Sequence, residues 1–393
     1  MARKYDFISE LYNRTCKTVV ASPASWEAFL RSACYNYRLR FDEQLLVHAQ
    51  RPDATAVLQI DDWNQKFGRW VNRGAHGIAV FEDADQRRQR LVHYFDIADT
   101  HPSRFSRRVP IWQMRDEYTA EVIDTLESTF GELNDKETLA VAIESAARNA
   151  VEDNIPDYLP DLIYSVKDSF LDGVSEEEIT HIFKKAVRNS VAYMTMTRLG
   201  IEAGEYFEPD DLRDVVNFTT PATLNALGYA TSDIAEMGLA EISRTILALD
   251  RQNRIIAEKT KADYNVGKEK PKGVLMMNEI TYTRQGDYLL PNLTMPEQPE
   301  LSMGRYARMR KKFLKEHHKV RYYNLLTSCA LNEHLNDTER RANELEQMLT
   351  EQMAASEGVT ENLKATDMMS WVRKMNSIRS RVQEIVMAEV IFA

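Results

Sequence analysis

Along most of this chain, apolar residues return every three or four positions, the period of an amphipathic helix. Phe7, Leu11 and Tyr12 open a short helical lead, and Trp26, Phe29, Leu30 and Cys34 share the face of a packed helix. A further helix over about 42–50 carries Leu45, Leu46 and His48. Arg51-Pro52-Asp53 ends it, because proline disfavours helix in its predecessor. The pattern then changes. A capped short helix from Asp61 leads through a Gly74/Gly77 turn to two β-branched and aromatic runs, 78–81 and 91–97. These predict a hairpin. Trp63 and Trp70, seven apart, are expected on one helical face.

From 116 to 263 the pattern is almost all helix. Residues 135–148 are strong helix formers, and Ser175 with Glu178 makes a capping box. Thr219-Thr220-Pro221 and Ser232-Asp233 read as further helix starts. Ile234, Leu239, Ile242, Ile246 and Leu247 mark one face of a long closing helix. A polar stretch with Lys, Pro and Gly follows. Then Ile280/Tyr282 and Tyr288/Leu290 flank Gln285-Gly286 as a short hairpin. Asn336-Asp337-Thr338-Glu339 is expected to cap a helix whose face is Leu345, Met348, Leu349 and Met353, and Gly358 to stop it. In the last helix Met368, Trp371, Met375, Ile378, Val382 and Ile385 form a heptad-like seam. That seam serves either packing within the chain or a homodimer. The fold class expected is mainly α with a small α+β N-terminal domain, a helical middle, and a C-terminal short hairpin plus helical bundle. The expected divisions are 1–115, 116–263, a linker at 264–276, and 277–393.

Charge adds to this picture. The chain of 393 residues has a formal net charge of −10. It is spread as +5 over 1–115, −17 over 116–263 and +2 over 264–393. The acidic middle therefore hides two basic ends. Cys16, Cys34 and Cys329 are too scattered for a disulfide framework or a zinc site. With no apolar signal core and no membrane-length apolar run, a soluble, cytoplasmic protein is expected. Asp157, Asp161, Asp168 and Asp172 lack a fixed ligand geometry and read as solvated surface, so no metal or other cofactor is expected.

The basic end is concentrated in 305–321. Read as one helix, Arg305, Arg308, Lys312, Lys315 and Lys319 recur at 3, 4, 3 and 4, a cationic stripe extended by Arg321. Tyr306, Met309, Phe313 and Val320 lie beside it as an apolar stripe. Such a face suits a polyanion, and equally an ordinary solvated surface. Around it, Gly286-Asp-Tyr-Leu-Leu-Pro-Asn-Leu-Thr-Met-Pro296, Lys319-Val-Arg-Tyr-Tyr-Asn-Leu-Leu-Thr-Ser328 and the ending from Trp371 through Ala393 resemble three separated motifs of the small transposon-encoded TnpV-type proteins. The resemblance covers roughly 277–393. It implies an excisionase-like DNA-binding accessory role.

At the other end, Trp70-Val-Asn-Arg-Gly-Ala-His-Gly-Ile-Ala-Val80 and Tyr94-Phe-Asp-Ile-Ala-Asp-Thr100 resemble the N-terminal domain of ArdC-type antirestriction proteins. Tyr35-Asn-Tyr-Arg-Leu-Arg40 and Leu46-Val-His-Ala-Gln-Arg-Pro-Asp53 look like the version that fronts large helicase or methylase proteins of integrative conjugative elements. That resemblance implies single-stranded DNA binding by 1–115. His76 stands where the family often has lysine. Arg38, Arg40, Arg69, Arg73, Arg87, Arg88 and Arg90 are the candidate phosphate contacts, and Tyr35 and Tyr37 candidate stacking groups.

No phosphate-loop, H-E-x-x-H or methylase motif occurs, and no nucleophile, base and orienting partner stand at readable spacing. The expectation is a non-enzymatic DNA-binding accessory protein of a mobile element. Single-stranded DNA would bind 1–115 and duplex DNA 277–393, with no membrane partner. Two alternatives stay open: an antirestriction factor that acts through the acidic middle, and an idle remnant of a helicase N-terminus.

Overall fold

A computed structural model describes residues 6–82, 90–208, 210–260, 280–296, 299 and 304–392. The candidates Arg87 and Arg88 and the linker 264–276 lie outside the described residues. The fold is mainly α with small α+β parts. The described residues up to 295 form one compact unit and those from 296 on form another.

In the first unit, helices from both sides of residue 115 share one interior. Trp26, on helix Pro23–Ala33, donates its indole N–H to Ser190 Oγ on helix Glu176–Arg198 at 2.8 Å. Phe41 meets Tyr229 edge-on, and Gly228 makes this possible: a Cβ there would stand 2.3 Å from the Phe41 ring. The long helix Pro221–Thr260 is continuous through Ser232-Asp233, which therefore starts nothing. The buried Ser232 hydroxyl donates to Gln44, and Asp233 accepts from Tyr158. Tertiary partners have taken the groups that would otherwise cap a helix. Ser175 does cap its helix, accepting from the Glu178 amide.

The small sheet of this unit has Leu91–Asp96 between Val57–Gln59 and Ile78–Phe81, all antiparallel, with Ile78 opposite Tyr94. Trp63, on helix Ile60–Phe67, is buried beneath it and donates to the Phe95 carbonyl at 2.8 Å. Trp70 does not share that face. Gly68, at φ 61°, ends the helix left-handed, and Arg69–Val71 is a strand that leaves Trp70 53 % exposed. A glycine in that conformation is a helix stop.

The hairpin Tyr282–Gln285/Tyr288–Pro291 forms as the pattern predicts, turning at Gly286 with φ 60°. It lies in the first unit, docked on the loop before strand Ile78–Phe81. Leu289 N–H donates to the Ala75 carbonyl, and the Gly74 and Gly77 amides donate to the carbonyls of Asp287 and Leu289. At Gly77 a Cβ would stand 2.8 Å from the Leu290 side chain. Tyr288 packs on Phe95 and His76 meets Tyr282 edge-on.

The second unit is built from helices Arg305–His317, Lys319–Thr327, Leu331–Ser356, Glu361–Thr366 and Met368–Val386, followed by a wide turn Met387–Ile391. Its core joins Tyr306, Ala342, Val359, Ile378, Val382, Val386 and Ile391. The seam of the last helix thus packs within the chain at Ile378 and Val382, while Met368 is exposed. Asn336 does not cap a helix, because that helix already begins at Leu331 after Cys329 turns at φ 60°. Thr338 bonds back to the His334 carbonyl instead. Gly358, at φ 66°, follows the end of the helix as expected.

Candidate nucleic-acid interface

The basic helix Arg305–His317 starts without a side-chain cap of its own. Glu339, from helix Leu331–Ser356, supplies one: its carboxylate accepts from the Ala307 amide at 2.6 Å. A carboxylate at a helix N-terminus satisfies an orphan donor and opposes the positive end of the macrodipole. Gly304 leaves room for it, since a Cβ there would meet the Glu339 carboxylate at 2.1 Å. The helix turns Tyr306, Ala307, Arg310, Lys311 and Leu314 inward. Met309 and Phe313, expected on the packed stripe, are half-buried at its edge.

That rotation decides which cations face water. Arg305, Arg308 and Lys312 are exposed. Arg305 lies over the Tyr306 ring, and neither it nor Arg308 forms an ion pair with a described residue. Among the described residues Lys312 pairs only with Glu316, at 3.8 Å with both side chains largely exposed, an arrangement worth little. Lys315 is half-buried against the Tyr322 ring. The predicted stripe does not run on as one helix. His318, at φ −136° and ψ 59°, breaks it, so Lys319 and Arg321 ride on helix Lys319–Thr327, both half-buried.

Arg310, not singled out by the spacing, is 3 % exposed. It donates to the Ile391 carbonyl at 2.6 Å and so ties the basic helix to the final turn. His334 stands beside it, and burial together with the charges of Arg310 and Arg321 holds that imidazole down at about 4.

In the first unit most candidate cations are engaged. Arg40 pairs through two nitrogens with Asp42 at 3.0 Å, reaches Glu43 at 3.6 Å and donates to the Phe81 carbonyl. Burial works to lower the Arg40 pKa, and Asp42 and Glu43 outweigh it and raise it. Asp42 also accepts from Tyr229, and Glu43 from Tyr94. Arg69 is held by Thr100, Arg90 by Glu82, and Arg73 lies 3.6 Å from Asp287 with a largely exposed side chain. Arg38 is exposed over the buried Tyr37, whose hydroxyl accepts from Trp112 at 3.3 Å. In the Gly74–Gly77 loop, a natural place to cradle phosphate, the Gly74 and Gly77 amides are spent on the hairpin and the Ala75 amide on the Asn72 carbonyl.

Beside Arg38 a cleft of about 900 Å³ opens, walled by Tyr35, Phe67, Trp112 and Arg198. Arg198 carries no sequence signal, because it lies in an acidic helical stretch with no motif around it. Among the described residues no group of His, Cys, Asp and Glu is placed to hold a metal, and no helix is long and apolar enough to cross a membrane.

Residues 281–391 match the family model of the transposon-encoded protein TnpV. Comparison with curated proteins and with solved structures found no match. The match associates this stretch of the chain with transposon-encoded proteins. It begins on the docked hairpin of the first unit and runs through nearly all of the second, including the basic helix and its Glu339 cap.

Proposed function

We propose that the protein is a non-enzymatic DNA-binding accessory factor of a mobile genetic element, excisionase-like or regulatory. Its chief contact surface would be the outer face of the basic helix. The observation that carries this reading is the exposed trio Arg305, Arg308 and Lys312, free of strong ion pairs among the described residues, on a helix that the TnpV match includes. Three cations at helical spacing can each neutralise a backbone phosphate, and affinity then falls as salt rises. The half-buried Lys315, Lys319 and Arg321 are secondary contributors. In the first unit Arg38 and Arg73 are the described candidates left with exposed guanidinium groups, and the ArdC-like resemblance makes single-stranded DNA their partner. Fluorescence anisotropy with labelled single- and double-stranded DNA at two ionic strengths tests the reading. Salt-sensitive binding is expected, with a slope of roughly −0.7 to −0.9 per phosphate neutralised. Absent or salt-independent binding would reject it.

A further inference from the structure

The cleft in the first unit holds a guanidinium without a counter-ion. Arg198 is half-buried at the end of helix Glu176–Arg198, and no carboxylate among the described residues pairs with it. Its Nη2 donates to the Trp112 carbonyl at 3.0 Å. Its Cζ lies 3.5 Å from the centre of the Trp112 ring and 5.5 Å from that of the Tyr35 ring. Among the described residues the buried Nε has no hydrogen-bond partner and Nη1 makes no hydrogen bond. Cations withdrawn from water are ordinarily paired, because an isolated buried charge is costly. Burial lowers the Arg198 pKa, yet a guanidinium remains charged at any ordinary pH. The group is thus fixed in place by an aromatic ring and a carbonyl, with part of its donor fork unused.

The surroundings specify the ligand further. The cleft's volume, about 900 Å³, lies within the range of roughly 300–1,000 Å³ usual for small-molecule sites. Tyr35 lines the cleft and is 46 % exposed, so its ring is accessible for stacking. Phe67 adds an apolar wall, Arg38 a second cation at the rim, and Asp116 an acceptor that suits the amino edge of a base. An anion alone would leave the aromatic faces unused, and an apolar ligand would leave the cation unpaired.

We propose that this cleft binds a nucleotide, its phosphate on Arg198 and its base stacked on Tyr35. The site is separate from the basic helix and does not depend on the DNA-binding reading of that helix. The same chemistry has two sources, a free mononucleotide or an unpaired nucleotide within a single strand.

Isothermal titration calorimetry on the full chain tests this with adenosine and thymidine monophosphates, their nucleosides, inorganic phosphate, and a ten-residue oligothymidylate. A nucleoside monophosphate is expected to bind about tenfold or more tighter than its nucleoside or phosphate, given the strength of base stacking plus a charge-assisted bond. Tyr35→Ala, at an exposed position, and Arg198→Gln should each weaken binding about tenfold. Thermal melting identifies any variant that fails to fold, and Tyr35→Ala keeps the test valid if Arg198→Gln does. If only the oligonucleotide binds, and both variants weaken it, the ligand is a nucleotide within a strand. Absence of binding by every probe at millimolar concentration overturns the proposal. So does binding that neither variant changes, or that Arg305→Gln/Arg308→Gln/Lys312→Gln abolishes.

Discussion

Arginine does different work in the two units. In the first, Arg40, Arg69 and Arg90 point at carboxylates, hydroxyls and carbonyls of their own chain. In the second, Arg305 and Arg308 on the basic helix have no such partner among the described residues, while Arg310, two positions further on, is sealed into the core edge against Ile391. Residue type therefore says little about a nucleic-acid contact. What decides it is whether the fold has already supplied the anion. By that measure the outer face of the basic helix is open to a polyanion, and Arg40 is a fastening.

The largest way to break this contrast is Arg40→Ala. Asp42 is fully buried, and removing Arg40 leaves it the Tyr229 hydroxyl but takes away its counter-ion, which costs about 3–5 kcal/mol. Urea denaturation should show that loss. If stability hardly moves, Arg40 is not a structural group.

Acid comes next. In the first unit burial lowers His48 from 6.5 to about 4, and its buried Nδ1 has no hydrogen-bond partner among the described residues. In the second unit His334 is lowered equally far, with Arg310 and Arg321 adding to burial. A base whose folded pKa is depressed binds fewer protons than in the unfolded chain. Its stabilisation is full above about pH 6.5 and is lost as pH falls toward 4. His48 should contribute about 2–3 kcal/mol of that loss, and the more exposed His334 on the order of 1 kcal/mol after allowance for solvent. Melting curves at pH 7 and pH 4.5 check the sign, and His334→Gln should flatten the part that belongs to the second unit.

Gly304→Ala is a smaller probe. It pushes Glu339 away from the Ala307 amide and should cost about 1 kcal/mol, the usual worth of a cap. Equal melting temperatures would show that the helix does not need the carboxylate. The smallest stability effect belongs to the open cations themselves. Replacing Arg305, Arg308 and Lys312 with Gln should each shift stability by no more than about 0.5 kcal/mol.

These contrasts also show what a linear pattern can and cannot reveal. The hairpin at Gly286, the Ser175 cap, the Trp26/Phe29/Leu30/Cys34 face and the inward turn of Ile378 and Val382 were legible, because each rests on local spacing. The end of the helix at Gly68 had a readable signal that the seven-residue spacing of Trp63 and Trp70 masked. Asp42 and Glu43, two and three residues after Arg40, were an equally readable warning that this cation would be engaged locally. The rest depends on distant partners. Arg310 is held by a carbonyl 81 positions away, and Ser232 sits in mid-helix with its hydroxyl donating to Gln44, 188 positions away. The cleft around Arg198 exists only once helix Glu176–Arg198 meets the segment that carries Trp112. No window of sequence contains it.

The central claim is most directly tested by the salt dependence of DNA binding for the native chain and for Arg305→Gln/Arg308→Gln/Lys312→Gln, by fluorescence anisotropy. The triple substitution should leave the melting temperature nearly unchanged and reduce the slope of log K against log salt by about 2 to 3, one phosphate per cation. An unchanged slope with the variant folded would contradict it.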